Sequence, residues 1–113
     1  MEPDFSKFET EMNRGFLQLL VLLIMDEPAY GYAMLKLLKE RGYAMEENTL
    51  YPMLRRLEKD GMVISRWELT TVDRPRKFYR ITPHGILLRR RLHEIWRSQG
   101  LVLEKMMEGI EHE

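Results

Sequence analysis

Cysteine is absent from all 113 residues, which removes disulfides, thiolate nucleophiles and thiol-based redox sensing together. Long apolar runs are missing too. The longest, Phe16 to Met25, is interrupted by Gln18 and falls well short of the ~20 residues that span a bilayer. The first residues, Met1-Glu2-Pro3-Asp4, lack the basic start of an export signal, so a cytoplasmic location is expected. No glycine-rich phosphate loop is present, nor a nucleophile paired with a base at a telling spacing. His84, His93 and His112 are dispersed, which is too little for a metal site. The expectation is a protein that is not an enzyme and needs neither metal nor cofactor. Net charge is also missing, since 18 Lys and Arg balance 18 Asp and Glu, and this argues against a general nucleic-acid glue.

What is present is local. Residues 48–91 hold eleven Lys or Arg against four Asp or Glu, whereas 1–47 and 92–113 are both acidic. A basic middle between acidic ends is the signature of a localised anion-binding surface. With 44% hydrophobic residues, the chain has enough apolar material for one compact domain plus an appended helix.

Residues 46–61 organise the rest. At ~100° per residue, Leu50, Met53, Leu54 and Leu57 share one side of a helix. Asn48, Pro52, Arg55 and Lys59 point the other way, with Thr49 and Arg56 on the flank. Gly61 supplies a left-handed stop, and Glu46 and Glu47 sit where the helix dipole favours acids. An apolar back and a basic, amide-bearing front suit a helix that reads the major groove, although an ordinary amphipathic helix presents the same pattern.

The neighbours narrow the choice. Phe5, Phe8, Met12, Phe16, Leu19 and Leu23 step by threes and fours through a first helix over 5–25. Asp26-Glu27-Pro28-Ala29 breaks it. Tyr30-Gly31-Tyr32 opens a second helix to Arg41, with Leu35 and Leu38 on its apolar face and Gly42 as its stop. After the organising helix, 62–69 is rich in β-formers, with Val63, Trp67 and Leu69 on one face. Residues 71–75 form a turn and 76–81 a second strand, giving a hairpin tipped by Arg74, Arg76 and Lys77. Thr82-Pro83 restarts a helix. Leu88, Leu92, Ile95, Gln99, Val102 and Met106 then alternate by four and three, as in a heptad seam. Such a helix, roughly 40 Å long, outreaches its own domain, so a homodimer is expected. Gly100 within it marks either a bend or a close backbone approach.

Three helices followed by a basic hairpin is the winged-helix order. The predicted fold class is mainly α with a small β-hairpin: a winged helix-turn-helix DNA-binding domain over 5–82 and a long C-terminal dimerisation helix over 83–112. Three stretches carry a family likeness: Pro28-Ala29-Tyr30-Gly31-Tyr32, Thr49-Leu50-Tyr51-Pro52-Met53-Leu54-Arg55-Arg56-Leu57-Glu58-Lys59-Asp60-Gly61, and Arg74-Pro75-Arg76-Lys77-Phe78-Tyr79-Arg80-Ile81-Thr82. On these the chain resembles the PadR family of bacterial transcriptional regulators across about residues 15–97. Its single C-terminal helix is similar to that of the short subfamily containing a lactococcal multidrug-responsive regulator. The resemblance implies a homodimer joined by its first and last helices, which binds a palindromic operator and usually represses. It also implies a ligand pore at the dimer interface, flanked by a tryptophan whose place Trp96 could fill. The 71–75 turn lacks the glycine many relatives carry there.

Candidate duplex contacts are Tyr32, Asn48, Thr49, Tyr51, Arg55, Arg56, Lys59, Arg74, Arg76 and Lys77. Arg55 and Lys59 suit guanine edges or phosphates, and Asn48 an adenine edge or phosphate. Tyr51 either offers its hydroxyl to phosphate or packs beneath the wing; Tyr30 and Tyr32 either hold a phosphate or are core aromatics. Trp96, with Leu92, Met12 and Phe8 as walls, either stacks a small aromatic or cationic effector or only packs in the dimer seam. Phe5, Phe16, Leu88, Ile95, Gln99, Val102 and Met106 complete the expected dimer interface. Competing readings are a protein-interaction module and a small-molecule-binding dimer, neither of which touches DNA.

Overall fold

An amphipathic α1 (Ser6–Ile24) lays Leu19, Val21 and Leu22 into the core, and its mixed polar N-terminal half stays exposed. The computed structural model describes residues 2–69 and 75–110. After the break at 26–28, Ala29–Tyr30 forms a short strand, β1, and the chain turns directly into α2 (Gly31–Glu40). Gly31, Met34 and Leu38 make the buried face of α2, while Leu35 is only half-buried. Two residues past the helix, Gly42 takes φ 101°. That left-handed step lets the Tyr43 N–H reach the Leu38 carbonyl at 2.9 Å and closes the helix end.

The third helix, α3 (Glu47–Lys59), buries Leu50, Met53, Leu54 and Leu57. Its front, including Asn48, Pro52, Arg55, Arg56 and Lys59, is exposed. Pro52 sits inside the helix on the solvent side. The Glu46 carbonyl accepts from both the Thr49 and the Leu50 N–H, each at 3.0 Å, so the first turn opens with a 3₁₀-type bond beside the regular helical one. Gly61, at φ 81°, ends the unit.

β2 (Val63–Glu68) and β3 (Arg76–Ile81) pair antiparallel, with Ser65 opposite Tyr79 and Trp67 opposite Lys77. The sheet has three strands rather than a bare hairpin, in the order β1-β3-β2. β1 escaped sequence reading because a two-residue strand exists only through its partner: Ala29 pairs with Tyr79 and Tyr30 with Phe78. Of the residues that alternation puts on one face, Val63 is buried, but Trp67 and Leu69 are exposed, because the hairpin outruns the core beneath it.

α3 and β2 are clasped by Glu58, whose carboxylate accepts from the Ser65 N–H at 3.1 Å and from its hydroxyl at 2.8 Å. α4 (Pro83–Glu108) begins at Thr82, whose side chain accepts from the Gly85 N–H at 3.0 Å. The same hydroxyl donates to the Gly61 carbonyl at 2.7 Å. Arg89 on α4 reaches the Leu22 carbonyl and Asp26, both at 3.4 Å, placing a cation at the C-terminal end of α1, where the helix dipole favours one. Residues 101–110 are exposed all round. At Gly100 nothing lies within 4 Å of a Cβ, so no close approach is made there within the subunit. Among the described residues, no helix is long and apolar enough to cross a membrane. The architecture is a winged helix-turn-helix with a long C-terminal helix.

Candidate nucleic-acid interface

The exposed front of α3 adjoins a half-open cleft of about 530 Å³ lined by Tyr32, Tyr51, Arg55, Trp67, Arg76 and Lys77, among others. These side chains arrive from separate places: the start of α2, the middle of α3, and both wing strands. Five of the predicted contacts, Tyr32, Tyr51, Arg55, Arg76 and Lys77, are thereby brought together. Asn48, Arg56 and Lys59 are exposed elsewhere on α3, and Thr49 is half-buried. Arg74 lies outside the described residues, as do Thr71, Val72 and Asp73 of the expected turn.

The wing cations do not wave in solvent. The Arg76 guanidinium lies 5.0 Å from the centre of the Tyr32 ring and donates to its hydroxyl at 3.1 Å. The Lys77 ammonium lies 5.3 Å from the centre of the Trp67 indole. Each ring restricts the cation it carries, so positive charge is presented from fixed positions. Tyr51 is half-buried, and a Cβ on Gly31 would fall 2.5 Å from its ring. Gly31 therefore makes room for the Tyr51 phenol at the cleft. Burial, followed by the nearby Glu47, pushes that phenol's pKa up, and the neutral hydroxyl can donate to an anion.

Tyr30, which also lines the cleft, stacks on Tyr32 with ring centres 5.7 Å apart and meets the Phe78 ring edge-on at 5.0 Å. Its hydroxyl donates to Glu68, which also takes a 2.8 Å bond from Arg66. Tyr30 thus straps the start of α2 to the far strand of the wing. The sequence alone leaves Tyr30 open between phosphate contact and core, and gives no sign that Glu68 is its partner or that Arg66 joins them. Contacts bridging 38 residues leave no local signal.

This strap makes a prediction. The Tyr30 hydroxyl, then Arg66, hold the Glu68 carboxyl below its ordinary value. The bond to Glu68, then burial, holds Tyr30 above its own. The link is therefore fully present above the ordinary carboxylate range and is lost as pH falls through the lowered Glu68 value. At the alkaline end it is present up to the ordinary tyrosine value and is lost as pH rises through the raised Tyr30 value. Tyr30→Phe is expected to lower stability at neutral pH and to converge on the wild type at both extremes. Denaturation across pH checks it; a deficit that stays constant at both ends refutes it.

A second groove, of about 470 Å³, runs between α1 and α4. Met12, Phe16, Leu92, Ile95, Trp96 and Gln99 are among its walls. Trp96 is 54% exposed and lies 6.2 Å, centre to centre, from Phe16. Phe5 and Phe8 are exposed beyond the groove, as are Val102 and Met106 on the projecting end of α4. Leu88 and Leu92 pack against the subunit's own core, so the apolar stripe begins as core and ends uncovered. Among the described residues, no group of three or more His, Asp or Glu could hold a metal ion.

Comparison with known proteins adds to this geometry. The model of the transcriptional regulator PadR-like family matches residues 19–94. The crystal structure of a PadR family transcriptional regulator from Eggerthella lenta is 40% identical, covers 92% of each chain and superposes with a TM-score of 0.84. A PadR-like transcription factor from Bacteroides fragilis is 30% identical over 88% of this chain and 98% of its own, with a TM-score of 0.78. The transcriptional regulator Rv3488 of Mycobacterium tuberculosis is 43% identical over 61 residues, 53% of this chain and 55% of that protein.

Proposed function

The chain belongs to the PadR-like family of DNA-binding transcriptional regulators, and from that premise we propose that it acts in the cytoplasm as a homodimeric repressor of a palindromic operator. The observation that carries the reading is the cleft in which Tyr32, Tyr51, Arg55, Arg76 and Lys77 converge beside the exposed front of α3. Cations fixed on aromatic rings and neutral phenol donors suit phosphate oxygens, which set the protein's position on a duplex. Asn48, Arg55, Arg56 and Lys59 then meet base edges or flanking phosphates. A protein-interaction surface presents an apolar hot spot with charges at its rim; the front of α3, Pro52 apart, is polar and cationic.

The dimer reading is supported by Val102, Leu103 and Met106 on α4 and by Ile110 just past its end, all more than half exposed. Two such helices, together with α1, cover one another most simply by symmetry. In this division, residues 5–82 bind DNA and residues 83–112 bind the second subunit. The groove at Trp96 then takes a planar hydrophobic effector whose occupancy releases the operator, with Met12 as an adaptable wall.

The test is binding of the intact protein to the DNA upstream of its own coding sequence, competed with unrelated duplex. Specific retention is expected, and equal competition by any duplex overturns the operator reading. Arg55→Ala is expected to weaken operator binding by about 1–3 kcal/mol and to relax sequence preference. An Arg55→Ala protein that binds unchanged removes Arg55 from the reading set.

A further inference from the structure

We propose that Trp67 is itself a DNA contact: its indole packs on a deoxyribose of the backbone beside α3, next to the phosphate that Lys77 meets. This rests on the operator-binding reading and names a residue within it that the charge pattern does not reveal.

The inner face of β2 carries Val63, Ser65 and Trp67 in alternation. Val63 is 2% exposed in the core, and Ser65 is held by Glu58. Trp67 is 65% exposed, so the core does not account for it. Register places it opposite Lys77, and it shares the cleft with Tyr51 and Arg55. Of the described residues lining that cleft, Arg55, Arg76 and Lys77 are cationic and none is acidic. The occupant must therefore be a polyanion that also offers an apolar surface at the spacing of its charges. A sugar–phosphate backbone does both, with the sugar ring between successive phosphates. An indole presents a large apolar area and loses little side-chain freedom on burial. Lys77, resting on the indole at 5.3 Å, is carried to the same place.

Trp67 and Trp96 are the two tryptophans of the chain. A Trp96→Phe protein therefore reports Trp67 fluorescence alone, and its own DNA affinity serves as the reference. With saturating duplex from the chain's own upstream region, acrylamide quenching of Trp67 is expected to fall severalfold. In the same background, Trp67→Ala is expected to weaken binding about tenfold, and Trp67→Phe to retain most of the affinity. The salt dependence of Trp67→Ala should match the reference, because no charge is lost, whereas Lys77→Met should reduce the slope by about two, one for each subunit of the dimer. Quenching of Trp67 unchanged by DNA overturns the proposal. So does a Trp67→Ala slope reduced like that of Lys77→Met, since the indole would then serve only to hold the lysine. Failure of the unaltered protein to bind any duplex overturns this proposal and the operator reading together, whereas the first two results overturn this proposal alone.

Discussion

Gly85→Ala is expected to cost about 3 kcal/mol of stability. A Cβ at residue 85 would lie 2.1 Å from the Met62 carbonyl oxygen and 2.6 Å from Ile81 Cγ1. The first clash is with backbone, and that carbonyl already accepts from the Thr82 N–H and the Thr82 hydroxyl, each at 3.0 Å. Moving it away breaks both bonds and disturbs the turn that Gly61 shapes. Gly85 is buried where the first turn of α4 meets Met62, just before β2, and Ile81 at the end of β3, so the strain falls on the joint between α4 and the wing. Urea denaturation measures the loss. The same replacement at Gly15, exposed within α1 and with nothing within 4 Å of its Cβ, should instead stabilise by about 0.5–1 kcal/mol. Equal behaviour at the two sites would refute the steric account.

Operator affinity is expected to fall about 10³-fold or more between 50 and 200 mM salt. Arg55, Arg56, Lys59, Arg76 and Lys77 lie on or beside the front of α3 in each subunit, and a dimer using about six of its ten such cations reaches that value. The steepness follows from local charge, since the chain as a whole is neutral. Anisotropy titration of a labelled operator at the two salt concentrations gives the slope directly. A loss below about tenfold corresponds to roughly two phosphates per dimer and would remove the cleft from the binding surface.

The parts of this fold that were legible in sequence are those set by neighbouring residues. Gly42 and Gly61 stop their helices by positive φ, Thr82 caps α4 ahead of a first-turn proline, and the leucines of α3 point where their period puts them. The basic front of α3 was equally legible, because a face is a local property. Long-range pairings were not. β1 is invisible without β3, and Arg76 gives no hint that Tyr32, 44 residues earlier, will carry it. Trp67 shows a finer failure. Alternation assigned it to the right side of the strand, but depth depends on where the core ends, and no period encodes that.

The Glu58 clasp has a consequence beyond joining helix to wing. β2 is an outer strand of the sheet, and its unpaired rim is a template on which a foreign strand could be added. The Ser65 amide near the middle of that rim is already occupied by a carboxylate. Any strand docking there must first strip away a charged acceptor and then lie beside it. The residue that fixes the wing thus also guards the molecule against sticking to its own kind edge to edge.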